Sequence, residues 1–136
     1  MGLTLIEPGG IDGAIADVRD FHRRLRIPTQ SVPNVPNDTI KQLRKRLITE
    51  EYWETIQSLD ADNLPKLADG LADLIYVALG CAAAYGIDLR PVWKLVHETN
   101  LAKENGPIRE DGKRLKPDGW APPDIEHILQ HQPSLF

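Results

Sequence analysis

The 136-residue chain has a single cysteine, Cys81, so it can form no internal disulfide. Zinc sites built from several cysteines are excluded with it. Basic excess is missing too: 16 Lys and Arg stand against 20 Asp and Glu, a net charge of −4. That balance argues against a long nucleic acid and against an anionic membrane surface as partner. The longest uncharged apolar run, Leu74–Ile87, has 14 residues, whereas a membrane span needs about 20. No N-terminal stretch reads as a secretory signal, and the expected compartment is the cytoplasm. Strand-like alternation, internal repeats and low-complexity tracts are all absent.

What is present describes one all-α domain over 1–136, with a core at about 12–125. Hydrophobic residues are 41% and charged residues 26%, a globular balance. Three of the eleven prolines fall in Pro28–Pro36 and four in Pro107–Pro123. These mark two irregular segments around a helical middle, where Pro65 and Pro91 sit at helix starts. The spacing predicts helices over Asp12–Leu25, from Asn37 or Asp38 to Leu59, over Leu64–Tyr85 ending at Gly86, and over Leu89–Lys103. A short helix follows Pro122–Pro123. The first helix carries Ile15, Val18, Phe21, His22 and Leu25 at helical spacing, and the second carries Ile40, Leu43, Leu47, Ile48 and Ile56. Leu71–Ala84 is apolar nearly all round and calls for cover in a bundle core or a subunit interface. The expected architecture is an antiparallel bundle of four to five helices.

Two groups of residues carry chemistry. The second helix holds Glu50, Glu51 and Glu54, the pattern E-E-x-x-E, and the third holds Asp69 and Asp73. Counted from the turn at 60–63, Glu54 and Asp69 are equidistant, and so are Glu50 and Asp73. In an antiparallel hairpin, five carboxylates would then converge about 11–17 Å from the turn. Like charges so placed repel unless a cation neutralises them. Oxygen ligands suit Mg²⁺ or Mn²⁺ better than zinc. A solvated acidic helix face is the plainer reading of E-E-x-x-E alone. The apolar context of Asp69 and Asp73 argues against it.

The second group follows Val96–Lys103. Asn100 and Lys103 share a face, and an amide beside an ammonium suits a phosphate or a nucleoside oxygen. The Gly- and Pro-rich loop after them carries Arg109, Lys113, Arg114 and Lys116, a composition that can order over a polyphosphate. The run Arg44-Lys45-Arg46 reads as solvated or paired within its helix. Phe21-His22 reads as core packing, with a contact to a base as the sharper alternative. Cys81 reads as a small buried apolar residue.

These residues resemble the MazG-like all-α nucleoside triphosphate pyrophosphohydrolases, marked by E-E-x-x-E on one helix and E-x-x-D on the next. Glu50, Glu51 and Glu54 match the first half and Asp73 matches the aspartate. The family's second glutamate falls at Gly70, with Asp69 its nearest substitute. Phe21-His22, Val96–Lys103, Gly106-Pro107, Asp111-Gly112-Lys113 and Leu115–Trp120 resemble a short dUTP-preferring subgroup. The resemblance implies Mg²⁺-dependent hydrolysis of a nucleoside triphosphate between the α- and β-phosphates. It implies Glu50, Glu54, Asp69 and Asp73 as metal ligands and Glu51 as general base. It implies Asn100, Lys103, Arg109, Lys113, Lys116 and His22 as substrate contacts, in a homodimer or a dimer-of-dimers tetramer with the site between subunits. The alternatives are phosphoribosyl-ATP or another modified nucleotide as substrate, or a weakened member that only binds nucleotide or a helical partner. The five carboxylates account for the acidity: without them, 15 acids face 16 bases.

Overall fold

The computed structural model describes residues 11–135; residues 1–10 and 136 of the expected domain lie outside that range. Five helices follow one another: α1 (Asp12–Leu25), α2 (Asp38–Asp60), α3 (Leu64–Ala84), α4 (Leu89–Leu101) and α5 (Ile125–Gln130). The all-α expectation holds. Among the described residues the only β-pairing is an isolated bridge, Ile108 to Arg114. The sequence placed the end of α4 at Lys103; the helix stops at Leu101, and turns carry the chain on.

Local chemistry fixes the boundaries. The side chains of Asn37, Asn63, Asp88 and Asp124 accept backbone N–H groups of the first turns of α2, α3, α4 and α5. Each supplies a donor's missing partner at a helix start. α3 ends at Ala84 with Tyr85 as its cap, and Gly86 follows with φ +68°. A Cβ at Gly86 would lie 2.1 Å from the Val32 carbonyl oxygen, so only glycine lets the proline-rich loop lie there. That loop is tied down: Gln30 Nε2 donates to the Ala84 carbonyl at 3.0 Å, and Asn34 N–H to the Tyr85 carbonyl at 2.9 Å.

The α2–α3 hairpin is the largest helix–helix contact and α1 packs on α3, whereas α4 packs chiefly on α5. Ile15, Val18 and Leu79 form the buried apolar core, with Ile11 and Leu89 against it. The apolar stripes read from the sequence are only partly buried. Leu25, Leu43 and Ile48 stay exposed, and so do Trp53, Leu64, Leu71 and Ile75. A stripe this wide on α2 and α3 exceeds what α1 alone covers. Residues 64–84 form a helix long and apolar enough to cross a membrane on those two criteria. Asp69 and Asp73 within it would each cost about 2.5–3.5 kcal/mol at a bilayer centre, and two helices already pack on it.

Candidate active site

The face of α2 turned toward α3 is polar. Its buried residues are Arg44, Thr55 and Ser58, not the apolar set that the sequence pattern offered. Buried hydroxyls need partners. Thr55 Oγ1 donates to the Glu51 carbonyl at 2.7 Å and Ser58 Oγ to the Glu54 carbonyl at 2.8 Å. Thr55 lies against Gly70, where an added Cβ would sit 3.1 Å from Thr55 Oγ1 and 3.5 Å from its Cα. The missing side chain at Gly70 thus lets the helices approach.

This contact corrects the register. Counting from the turn placed Glu50 level with Asp73; the contact of Thr55 with Gly70 shifts the level point one residue further along the chain. The turn is the reason. α2 runs through Asp60, Asp62 takes a positive φ of 52°, and Asn63 N–H reaches back to the Ser58 carbonyl at 3.1 Å. That point sets Asp73 level with Tyr52 and leaves Glu51, one residue away, within reach of the Asp73 charge.

Glu51 is the electrostatic centre of the patch. Its Oε2 is shut off from solvent and has no hydrogen-bond partner. Burial pushes its carboxyl above the ordinary range; repulsion from Glu54 and Asp73, a hydrogen bond with Glu54 and repulsion from Asp69 push it further. No cation figures among the groups acting on it. Glu50 is exposed and lines a shallow opening with Gln42, Lys45, Arg46 and Thr49. Beside Glu54 and Asp69 a cavity of about 460 Å³ is lined also by Gln57, Ser58, Asn63 and Lys66.

Among the described residues, no group of three or more His, Cys, Asp and Glu side chains is already arranged to hold a metal ion. The donor set nevertheless suits a hard cation. Four carboxylates from two helices repel one another, and one buried oxygen lacks a partner. A divalent ion is the chemistry that relieves both conditions.

The second group forms its own cluster around Trp120. The indole Nε1 donates to the Thr99 carbonyl at 2.7 Å, which fixes the ring. Lys103 Nζ lies 5.2 Å and Lys116 Nζ 4.8 Å from its centroid, within cation–π range. Lys103 also donates to Asn100 Oδ1 at 3.0 Å. Arg109 makes a two-pronged ion pair with Asp111, at 2.8 and 2.5 Å, so its fork is occupied. Lys113 is exposed, and its N–H donates to Asp111 Oδ1 at 3.3 Å. A small hairpin shapes this loop: Arg109 N–H bonds the Lys113 carbonyl and Leu115 N–H the Pro107 carbonyl, both at 2.7 Å. Trp120 carries no charge and was not among the residues read as substrate contacts. Its signal was an aromatic in a Gly-containing turn behind a run of cations.

His22 is buried, 2% exposed, and Arg44 from the supposedly solvated basic run is only 6% exposed. Both approach Gly80 of α3, two turns beyond Asp73: a Cβ there would lie 2.8 Å from Arg44 Nη1 and 3.2 Å from His22 Nε2. Cys81 is half-buried, and burial pushes its thiol up.

A family model described as phosphoribosyl-ATP pyrophosphohydrolase matches residues 18–100. The matched span contains all five carboxylates, with Phe21, His22 and Arg44; the loop around Trp120 lies beyond it. No curated protein matches the chain.

Proposed function

Because the chain belongs to the phosphoribosyl-ATP pyrophosphohydrolase family, within the MazG-like all-α pyrophosphatase superfamily, we propose that it hydrolyses a nucleoside triphosphate between its α- and β-phosphates. The products would be a nucleoside monophosphate and pyrophosphate, with dUTP the preferred substrate and Mg²⁺ (or Mn²⁺) the cofactor. The observation that carries this reading is the unpartnered, buried Glu51 oxygen among Glu54, Asp69 and Asp73.

Glu54, Asp69 and Asp73 would hold the metal, and Glu50 would join from the outer flank of the same turn. When bound, the ion neutralises polyphosphate charge and polarises the phosphorus. Glu51 would orient a water and accept its proton at the carboxylate. One water adds across the P–O–P bond, and pyrophosphate leaves. Asn100, Lys103 and Lys116 would meet phosphate oxygens beside Trp120. Arg109 and Lys113 would follow if the Asp111 pair opens.

Assembly is part of the reading. α4 packs on α5 rather than on the carboxylate hairpin, so the cationic cluster and the acidic patch belong to different parts of one chain. Leu64, 75% exposed, and Ile75, 58% exposed, lie on the uncovered side of α3. A homodimer, or a tetramer made of two, would bury this face and bring the cations of one subunit toward the acids of another.

Phosphoribosyl-ATP is the second reading, and the family match favours it. The test is pyrophosphate release from a panel holding dUTP, other triphosphates and phosphoribosyl-ATP, with Mg²⁺. Glu51→Gln and Asp73→Asn are expected to lose about 10²-fold or more. Equal rates in the parent and both variants would end the assignment. The best substrate of the panel decides between the two readings.

A further inference from the structure

The last helix carries a pair of histidines that neither the carboxylate patch nor the cationic cluster uses. His127 lies in α5 and His131 caps its end, and the H-x-x-x-H spacing sets two imidazoles on one helical face. Their ring centroids are 4.2 Å apart, with the planes tilted by 32°. Both side chains are exposed. The His127 backbone carbonyl meets His131 twice, through its backbone N–H at 3.2 Å and its ring Nδ1 at 2.8 Å. A carbonyl oxygen has no proton to give, so Nδ1 carries the hydrogen and the lone pair of the neutral ring stays on Nε2. A metal-binding histidine is almost always prepared in this way, its second nitrogen donating to a carbonyl or carboxylate. Asp124, three residues before His127, adds a negative charge on the same face, and its Oδ1 accepts the His127 N–H at 3.1 Å.

What the pair would control follows from the chain beyond it. α5 has 6 residues, far fewer than the ~12–15 that an isolated helix needs. From its end the chain runs on as a strap. Gln132 accepts the Asp88 N–H at 2.8 Å and donates to the Gly86 carbonyl at 2.9 Å. Leu135 N–H reaches the Ser31 carbonyl at 2.8 Å. The strap thus ties the α3–α4 turn and the proline-rich loop to a helix too short to hold itself. A cross-link between side chains at i and i+4 favours the helical form, and so steadies what that helix anchors.

We propose that His127 and His131 form a two-imidazole site for a late first-row divalent metal of the Zn²⁺ and Cu²⁺ class, and that the bound ion staples α5 and the strap it anchors. The ion takes Nε2 of His131 and one ring nitrogen of His127, and water fills its remaining positions. The exposed His127 ring can turn about its side-chain bonds to converge on the ion, while the carbonyl bond holds the His131 ring. Imidazole nitrogen suits these ions, whereas Mg²⁺ prefers oxygen ligands such as the carboxylate patch. The site uses no residue of that patch and does not depend on the hydrolase reading.

Zn²⁺ is the probe, added over a large excess of Mg²⁺ so that the carboxylate patch stays occupied. In nitrogen NMR of the imidazoles, the His131 Nε2 signal and one His127 nitrogen are expected to move together, with His22 and His97 unmoved. Amide exchange at Asp88 and Leu135, whose N–H groups the strap engages, is expected to slow on adding Zn²⁺. His131→Gln removes the prepared ring. His127→Gln keeps the backbone carbonyl that fixes His131, so a loss there is a loss of the second ligand and not of the first one's geometry. Each variant is expected to bind Zn²⁺ about tenfold more weakly or worse, because one ring alone gives up the chelate. Asp73→Asn is expected to keep the full response, which separates this site from the acidic patch. A shift at only one of the two rings, unchanged Zn²⁺ affinity in either histidine variant, a response lost in Asp73→Asn, or unaltered exchange at both amides would each overturn the proposal.

Discussion

The two ends of the α2–α3 groove leave opposite charges unsatisfied. Near the turn, Glu51 buries a carboxylate oxygen among three other acids; seven residues earlier on α2, Arg44 buries a guanidinium beside His22. Seven residues of helix set them about 10 Å apart, too far for an ion pair and near the screening length of physiological salt. Two rigid helices keep them apart. Their surroundings differ in kind. Glu54, Gln57, Ser58, Asn63 and Lys66 line the opening at the acidic end, where a hydrated ion is at home. Phe21, Leu47 and Tyr76 wall the basic end, where a flat neutral acceptor fits better. One end asks for a charge, the other for a shape with acceptor atoms.

The largest expected effect breaks the acidic end. With metal chelated away, Asp73→Asn is expected to melt above the parent, because the substitution removes one repelling charge beside Glu51. Adding Mg²⁺ should then raise the parent and not the variant. Ligand linkage gives about 2.7 kcal/mol at a hundredfold excess over Kd. Thermal melts with chelator and with Mg²⁺ check it. Identical responses of the two proteins would make this a solvated acidic face.

A smaller effect uses the glycine at each end. Alanine is the better helix former by about 1 kcal/mol, so packing decides both outcomes. At Gly70 the new Cβ meets Thr55 Oγ1 at 3.1 Å and its backbone Cα at 3.5 Å. The helices must part there, and the Mg²⁺-induced rise in melting temperature is expected to shrink. At Gly80 the Cβ meets two buried side chains, Arg44 Nη1 at 2.8 Å and the His22 ring at 3.2 Å. The clash falls on a buried pair two turns from Asp73, so Gly80→Ala is expected to keep the Mg²⁺ response and to melt below the parent. Melts of both variants with and without Mg²⁺ measure the two ends separately.

The sequence carried the helices because their signals are local. Asn37 announces a helix start through capping, Pro65 and Pro91 announce starts through fixed φ, and Gly86 announces a stop. The acidic patch was legible as a spacing across a short turn. Its register was not, because that depends on Asp62 adopting a left-handed conformation, which no side-chain pattern reports. Arg44 was illegible for another reason. A basic residue in Arg-Lys-Arg reads as solvated, and only α3, with a glycine at position 80, shows that the first of the three turns inward. The apolar residues of α2 misled in the opposite direction. Leu43 and Ile48 keep helical spacing yet remain exposed, because periodicity marks a face without naming what covers it.

The smallest effect concerns His22 and sharpens the basic end. Burial, and then the Arg44 charge, lower its pKa from the ordinary 6.5. The unfolded chain therefore binds a proton that the folded chain refuses. Stability is complete above about pH 6.5, falls as the pH drops below that value, and levels off only once the folded histidine itself protonates. Urea unfolding at pH 7.5 and pH 5.5 is expected to show this loss in the parent and a weaker one in His22→Gln, which cannot titrate. Arg44→Met tells the two causes apart. With the neighbouring charge removed, the difference should diminish without vanishing, because burial is the larger cause. Were it to vanish, the basic end would be an electrostatic site first and an apolar one second, and the contrast with the acidic end would be one of sign alone.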